Sequence, residues 1–416
     1  MYKEIERCRI SGSTNLKSVI NLGEQSLTGV FPKSKKEKIT TGPLELVLSM
    51  DDGSGQFCEL LQLRHSYDHS ELYGENYGYR SGLNSSMTAH LKDIVDKCIK
   101  SVSPKQNDLI IDIGSNDGTL LKQYPQNRYL LVGVDPTGLK FQKYYTHNIT
   151  LIPEFFTSRV IKDKFGNKRA KIITSIAMFY DLESPLDFVK QIYEILDNDG
   201  IWVLEQSYMP LMIKRNAYDT ICHEHLEYYG LKQVKWIFDK IGFKILDIEL
   251  NDINGGSFKL TVAKKTSERK ESTDLINKIL KNETKLKLHT LEPYMKFQDN
   301  IIRHRKELLS LIKDLKNQNK TIFGYGASTK GNVILQYCGL TEKEIPYIAE
   351  VNEDKFGLYT PNTNIPIIPE KEAKAMKPDY FLALPWHFRE NFLIREKEYL
   401  KNGGKFIFPL PKIEIV

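Results

Sequence analysis

The stretch Leu109-Ile110-Ile111-Asp112-Ile113, followed at once by Gly114-Ser115-Asn116-Asp117-Gly118, constrains this chain more than any other. An apolar run of that length with no polar face reads as a strand buried on both sides. The glycine-rich turn behind it opens a helix and lets a ligand approach the backbone at the carboxyl end of the strand. A second strand, Tyr129 to Val134, follows at α/β spacing, and further strands are expected at Ala170 to Thr174, Gly200 to Glu205 and Phe258 to Ala263. This alternation predicts a doubly wound, largely parallel sheet. Thr321-Ile322-Phe323-Gly324-Tyr325-Gly326 then restarts the pattern, with strands near Pro346 to Glu350, Tyr380 to Leu384 and Lys405 to Phe408.

Four regions follow from this reading. Residues 1–66 form a small, turn-rich module, and residues 67–265 carry the first α/β unit. Residues 266–320 show leucines and isoleucines every three or four positions among Lys and Glu, a helical connector that Pro293 should interrupt. Residues 321–416 form a second, smaller Rossmann-like domain. With 416 residues, 41% of them hydrophobic, the chain can bury several cores. No apolar run approaches the roughly 20 residues that span a bilayer, so a cytoplasmic protein is expected. Five scattered cysteines argue against a disulfide framework. A net charge of +6, with lysines interleaved among acids, reads as solvated helix surface rather than a nucleic-acid face. Neither nucleic acid nor membrane is an expected partner, and a monomer is expected.

The spacing of the first loop, Gly-x-x-x-Gly, suits a pyrophosphate poorly. With Asp112 and Asp117 at its edges it suits the cationic amino acid end of S-adenosylmethionine, with Gly114, Ser115 and Asn116 close to the ligand. Asp135, before Pro136, ends the next strand, where a carboxylate can accept both ribose hydroxyls. After the third strand, Ser175 and Ala177 are placed to lie under the adenine or beside the methyl donor. Asp219 to Tyr229 packs two histidines, two glutamates and two tyrosines into eleven residues. Its spacing is not the His-Glu-x-x-His of a zinc protease, and no metal is expected there. General base chemistry fits it, as do histidines that only satisfy buried carbonyls. Gly324 to Asn332 opens another helix, and its backbone with Ser328, Thr329 and Lys330 suits a phosphate or diphosphate.

Together these segments resemble the sugar C-methyltransferases that act on nucleotide-linked deoxy keto sugars in antibiotic and surface-polysaccharide pathways. The resemblance rests on Asn21-Leu22-Gly23-Glu24-Gln25, Tyr77-Gly78-Tyr79-Arg80-Ser81-Gly82, the loop Asp112 to Leu121, His223-Glu224-His225, Asn254-Gly255-Gly256-Ser257, the loop Gly324 to Asn332, and Leu384-Pro385-Trp386. It implies an N-terminal zinc-binding module, a central methyltransferase domain, and a C-terminal domain that helps hold the nucleotide sugar. It implies His225 as base, with His223, Glu224, Tyr77 and Tyr79 nearby, and adds Phe155 and Phe156 to the cofactor site. Arg80, Ser81, Tyr228, Asn254, Ser328, Thr329, Lys330, Asn332, Glu350 and Trp386 are then the expected contacts of a dTDP- or GDP-linked keto sugar. Two departures stand out. The cysteine pairs of the family read here Cys8-Arg9-Ile10-Ser11 and Gly55-Gln56-Phe57-Cys58, and two thiolates, even with His65, do not make a tetrahedral zinc site. Cys222 stands where relatives often place a tyrosine.

Carbon is a poor nucleophile, so its methylation needs a neighbouring carbonyl. A 4-keto sugar meets that need at C3. Two rival readings are a nucleotide-sugar oxidoreductase or epimerase using NAD, weakened by the missing Gly-x-Gly-x-x-Gly, and a non-catalytic nucleotide-sugar-binding protein, suggested by the degenerate cysteine pairs.

Overall fold

In the computed structural model, which describes residues 2–73 and 78–416, Leu109–Ile113 lies at the centre of a seven-stranded sheet. The order across that sheet is Phe243–Asn251, Ser257–Lys264, Leu196–Ser207, Ala170–Ile176, Leu109–Ile113, Leu130–Val134, Ile149–Ile152. The last five run parallel, and Ser257–Lys264 is antiparallel to both of its neighbours. Leu109, Ile110 and Ile111 are fully buried, as a central strand covered on both faces requires. Helix Ser85–Val102 covers one face with Leu91, Ile94, Val95 and Cys98, and begins where the Asn84 side chain accepts from Ser86 N–H. Chain order reverses at Leu109–Ile113, so the carboxyl ends of this strand and its two neighbours frame a crevice.

A second sheet of six strands follows Ile367–Pro369, Ile348–Glu350, Ile322–Tyr325, Tyr380–Ala383, Lys405–Phe408, Glu414–Ile415, parallel except for the last strand. Both α/β units of the sequence reading are present. Helices Thr273–Lys285 and Glu292–Asn317 connect them. Pro293 does not break a helix: it sits in the first turn of the 26-residue helix, where its missing N–H has no partner to lose. Two strands of the seven-stranded sheet were not foreseen. Ile149–Ile152 is four residues long at a sheet edge, and Phe243–Asn251 is half-exposed at the other edge, so neither shows the all-apolar run of a central strand.

The N-terminal module is an antiparallel sheet of Leu16–Ser26, Thr41–Ser49 and Leu61–Leu63, completed by Glu227–Tyr228 from the central region. Ile20, Leu46 and Leu63 share one apolar core with Leu308 and Ile312 of the long helix and with Val333 and Leu335 of helix Thr329–Cys338. Each such buried side chain contributes about 1.5–3 kcal/mol, so packing ties this module down. Among the described residues no helix is long and apolar enough to cross a membrane.

Candidate active site

The crevice holds a cavity of about 460 Å³. Asp112, Asp135, Asp181 and Glu205 line it, with Phe155, Phe156, Met87 and Met178, and no Lys or Arg is among the described lining residues. Asp112 ends the central strand and its Oδ1 accepts from Thr174 Oγ1 at 2.6 Å. Burial pushes this carboxyl up to about 7, with the Asp135 charge adding to the rise and the Thr174 bond opposing it. Gly114 has φ +73°, and a Cβ there would come within 3.0 Å of Met178. Asn116, also left-handed, donates its N–H to Asp135 Oδ2 at 2.7 Å, while Asp135 Oδ1 accepts from the N–H and hydroxyl of Thr137 at 2.7 and 2.5 Å.

The Asn116 side chain also ties this loop to the 79–82 segment, accepting from Ser81 N–H at 3.0 Å and donating to the Tyr79 carbonyl at 3.1 Å. Tyr79, Ser81 and Asn254 thus reach the same cavity as the loop, together with Pro136 and Ala177. Two residues expected against the cofactor point elsewhere. Ser175 is buried, accepting from the Trp202 indole at 2.9 Å, and Asp117 caps Thr119 while accepting from Gly82 N–H. Arg80 lies over the Tyr144 ring, 4.4 Å from its centroid. Tyr77 lies outside the described residues.

The His223 segment lies behind the cavity wall: neither His223 nor His225 is among the described lining residues, and the segment meets the wall where Leu226 N–H donates to the Tyr180 carbonyl, next to Asp181. His225 N–H closes a turn on the Cys222 carbonyl, and this turn sends the two imidazoles apart. The His223 ring is fully buried edge-on to Tyr67 at 4.6 Å, beside backbone groups of Gly42 and Gln25, and burial pushes it down to about 4. The His225 ring lies against Tyr180, centroids 4.2 Å apart, with Nδ1 2.8 Å from the Thr220 carbonyl. A carbonyl only accepts, so Nδ1 carries the proton and Nε2 keeps its lone pair. Burial, with the Lys330 charge, pushes His225 down to about 3 and leaves it neutral at working pH. Glu224 Oε2 accepts from Thr28 Oγ1 at 3.3 Å, and a Cβ on Gly29 would lie 2.0 Å from Glu224 Oε1.

The residues expected to take a diphosphate are largely occupied within the chain. Lys330 Nζ donates to the Asn254 carbonyl at 2.6 Å, and burial lowers its pKa. Ser328 caps its helix, Asn332 donates to the Thr28 carbonyl, and Glu350 accepts from the N–H groups of Ala327, Val351 and Asn352. The Trp386 indole donates to buried Asp219, and Tyr228 is buried with its hydroxyl at the Cys222 backbone. These groups join the C-terminal domain to the rim of the cavity. Sequence reasoning did not single out Asp181, Glu205 or Lys355. Glu205 lies near the carboxyl end of strand Leu196–Ser207 and was accessible to the same rule, while Lys355, which donates to the Ala327 carbonyl, shows no motif.

An acidic cavity with apolar walls and no cationic side chain among its described lining residues disfavours a dinucleotide pyrophosphate and matches a cationic cofactor. Three family models match the chain in tandem: a putative zinc binding domain at 8–73, a methyltransferase domain at 83–248 and a C-methyltransferase C-terminal domain at 252–411. Across its whole length the chain is similar to the C-methyltransferase NovU of Streptomyces niveus, at 28% identity over 421 residues, which is 100% of this chain and 98% of that protein. Among solved structures it is similar to LepI in complex with SAM (14% identity, TM-score 0.33, 44% of this chain and 54% of that one). It is also similar to magnesium protoporphyrin IX methyltransferase from Synechocystis PCC 6803 (13% identity, TM-score 0.32, 42% and 79%). The three tandem domains are those of a C-methyltransferase.

The zinc implied by the first of these models does not fit the residues present. Cys8 and Cys58 are buried with sulfurs 3.9 Å apart, and the Cys8 thiol is pushed down to about 5, chiefly by its hydrogen bond with Cys58. His65 packs edge-on to Tyr2 instead. Among the described residues no group of three or more His, Cys, Asp or Glu is placed to hold a metal. Purified protein is expected to carry no stoichiometric zinc and to keep its melting temperature in chelator. Elemental analysis giving one zinc per chain would contradict this.

Proposed function

We propose that the enzyme methylates C3 of a nucleotide-linked 4-keto deoxy sugar. The observation that supports this best is His225, a neutral imidazole with its free Nε2 fixed by the Thr220 carbonyl and its ring against Tyr180, whose chain leads directly into the cavity wall. Methylation of carbon requires removal of a C–H proton, which only a base beside an activating carbonyl can achieve at useful rates. The nucleotide is read from the family resemblance and from the second α/β unit, whose helix start meets the cavity rim through Lys330 and Asn254.

When bound, S-adenosylmethionine supplies an electrophilic methyl group. Asp112 would hold its ammonium end, Asp135 its ribose, and Phe155 and Phe156 its adenine. His225 Nε2 takes the proton from C3, and the C–H electron pair passes into the enolate of the C4 ketone. Walls made of Met87, Leu91 and Phe156 exclude water while both substrates are held in reactive geometry.

Because Asp112 is raised to about 7, it is neutral below that pH and anionic above it. The ammonium group of the ligand favours the carboxylate, so affinity for S-adenosylhomocysteine should rise by about tenfold between roughly pH 6 and pH 8. Calorimetry across that range checks this, and Asp112→Asn should flatten the dependence.

The substrate class is tested by incubating full-length protein with S-adenosylmethionine and a dTDP- or GDP-linked 4-keto-6-deoxy sugar. The expected product gains one methyl group bonded to carbon, resolved by mass spectrometry and carbon NMR. A product methylated on oxygen, or none with any such sugar, would overturn the proposal.

A further inference from the structure

The proposed reaction needs a second group, a hydrogen-bond donor for the oxygen that becomes negative as the enolate forms. Cys222, directly before the two histidines, is fully buried and a weak donor. The structure offers another acid at that end of the cavity. Asp181 closes the one-turn helix Phe179–Asp181, its N–H bonded to the Met178 carbonyl. The preceding residue, Tyr180, accepts from Leu226 N–H at 2.8 Å and stacks on His225. Asp181 and His225 therefore stand on two hydrogen-bonded segments, side by side. Asp181 lines the cavity, and its Oδ1 is closed to solvent without a hydrogen bond.

We propose that Asp181 is a catalytic residue, its carboxyl group donating a hydrogen bond to the ketone oxygen of the substrate while His225 removes the proton from the adjacent carbon. This rests on the keto-sugar reading above. The electrons of the C–H bond move into the enolate and then form the new C–C bond to the methyl group, the sulfonium leaving as a neutral thioether. The ketone re-forms, the proton departs on His225 to solvent, and Asp181 keeps its own.

The surroundings hold that proton in place. The groups that face Asp181 are Tyr73, Cys222, Glu224, Glu227 and Tyr228, all neutral or acidic. Burial raises the Asp181 carboxyl well above the usual range, the nearby Glu224 charge raises it further, and the Tyr73 hydroxyl only partly opposes this. Tyr228 is buried as well, but its hydroxyl is engaged by the Cys222 backbone.

The test compares Asp181→Leu, which keeps the volume and loses the donor, with Asp181→Asn, which keeps a donor and cannot ionise. Turnover, KM, S-adenosylhomocysteine affinity and thermal melting are measured on the full chain. Solvent deuterium exchange at the carbon next to the ketone is followed with S-adenosylhomocysteine present. Asp181→Leu should lose about 10²- to 10³-fold in turnover and exchange with KM and cofactor affinity within about twofold, and Asp181→Asn should recover at least tenfold of that loss. If the Leu variant does not fold, the Asn variant still decides. Wild-type turnover should fall as rising pH ionises the donor, and Asp181→Asn should remove that limb. Wild-type rates in Asp181→Leu, a loss confined to cofactor affinity, or an Asp181→Asn variant as slow as Asp181→Leu would overturn the assignment. A wild-type enzyme that binds cofactor yet neither exchanges nor methylates any nucleotide 4-keto sugar would sink the substrate reading itself.

Discussion

His225→Ala is expected to lower turnover by roughly 10²- to 10⁴-fold while leaving the affinities for cofactor and nucleotide sugar nearly unchanged. In the proposed reaction the ring acts through Nε2 alone, since Nδ1–H is committed to the Thr220 carbonyl. Its low pKa, about 3, describes a neutral ring with no anion beside it. An enolate forming in contact would stabilise the imidazolium, because opposite charges attract strongly where water is excluded. The free ring therefore waits in its basic form at any working pH, and no acid limb near neutrality should come from this residue. Solvent deuterium exchange at the carbon next to the ketone should fall with turnover in the same variant. His223→Ala is the informative contrast: that ring is fully buried against Tyr67, so its loss should appear as a lower melting temperature. Near-wild-type turnover in His225→Ala would move the base to another group.

The two histidines show how far the sequence could be read. Their density with acids and phenols marked the segment, but spacing of two in an extended chain would put both on one face. The turn closed by His225 N–H on the Cys222 carbonyl, which no residue pattern announces, separates them. Central strands were legible because burial on both faces leaves an unbroken apolar run, as in Leu109–Ile113. The edge strands Ile149–Ile152 and Phe243–Asn251 were not, because only one side of each is covered. The same limit applies to the C-terminal loop. A strand, a glycine turn and a helix start with Ser328 and Lys330 look alike whether they meet a phosphate or a neighbouring loop, and here Lys330 meets the Asn254 carbonyl. Asp181 was passed over because its part depends on which loop lies beside it.

Asp135, by contrast, was legible from its place at the end of a strand, and the structure sharpens what its removal should do. A carboxylate has about four acceptor positions, and three are taken by Asn116 N–H, Thr137 N–H and the Thr137 hydroxyl. That leaves room for about one ribose hydroxyl where two were expected. Asp135→Ala therefore removes a ligand contact and also frees the Asn116 N–H that shapes the loop under the cofactor. Leaving such buried groups unpaired costs about 1 to 3 kcal/mol, so affinity for S-adenosylhomocysteine should fall by about 5- to 150-fold. Unlike the His225 variant, this one should recover most of its turnover at saturating cofactor, since no proton transfer passes through Asp135. Asp135→Asn keeps one acceptor oxygen and should lie between the two in affinity, because its amide must face one of the three donors. Calorimetry with S-adenosylhomocysteine, paired with turnover at several cofactor concentrations, separates these outcomes. Unchanged affinity in Asp135→Ala would place the ribose elsewhere in the cavity, and lost turnover at saturation would mean that the loop sets the position of the methyl group as well as holding the cofactor.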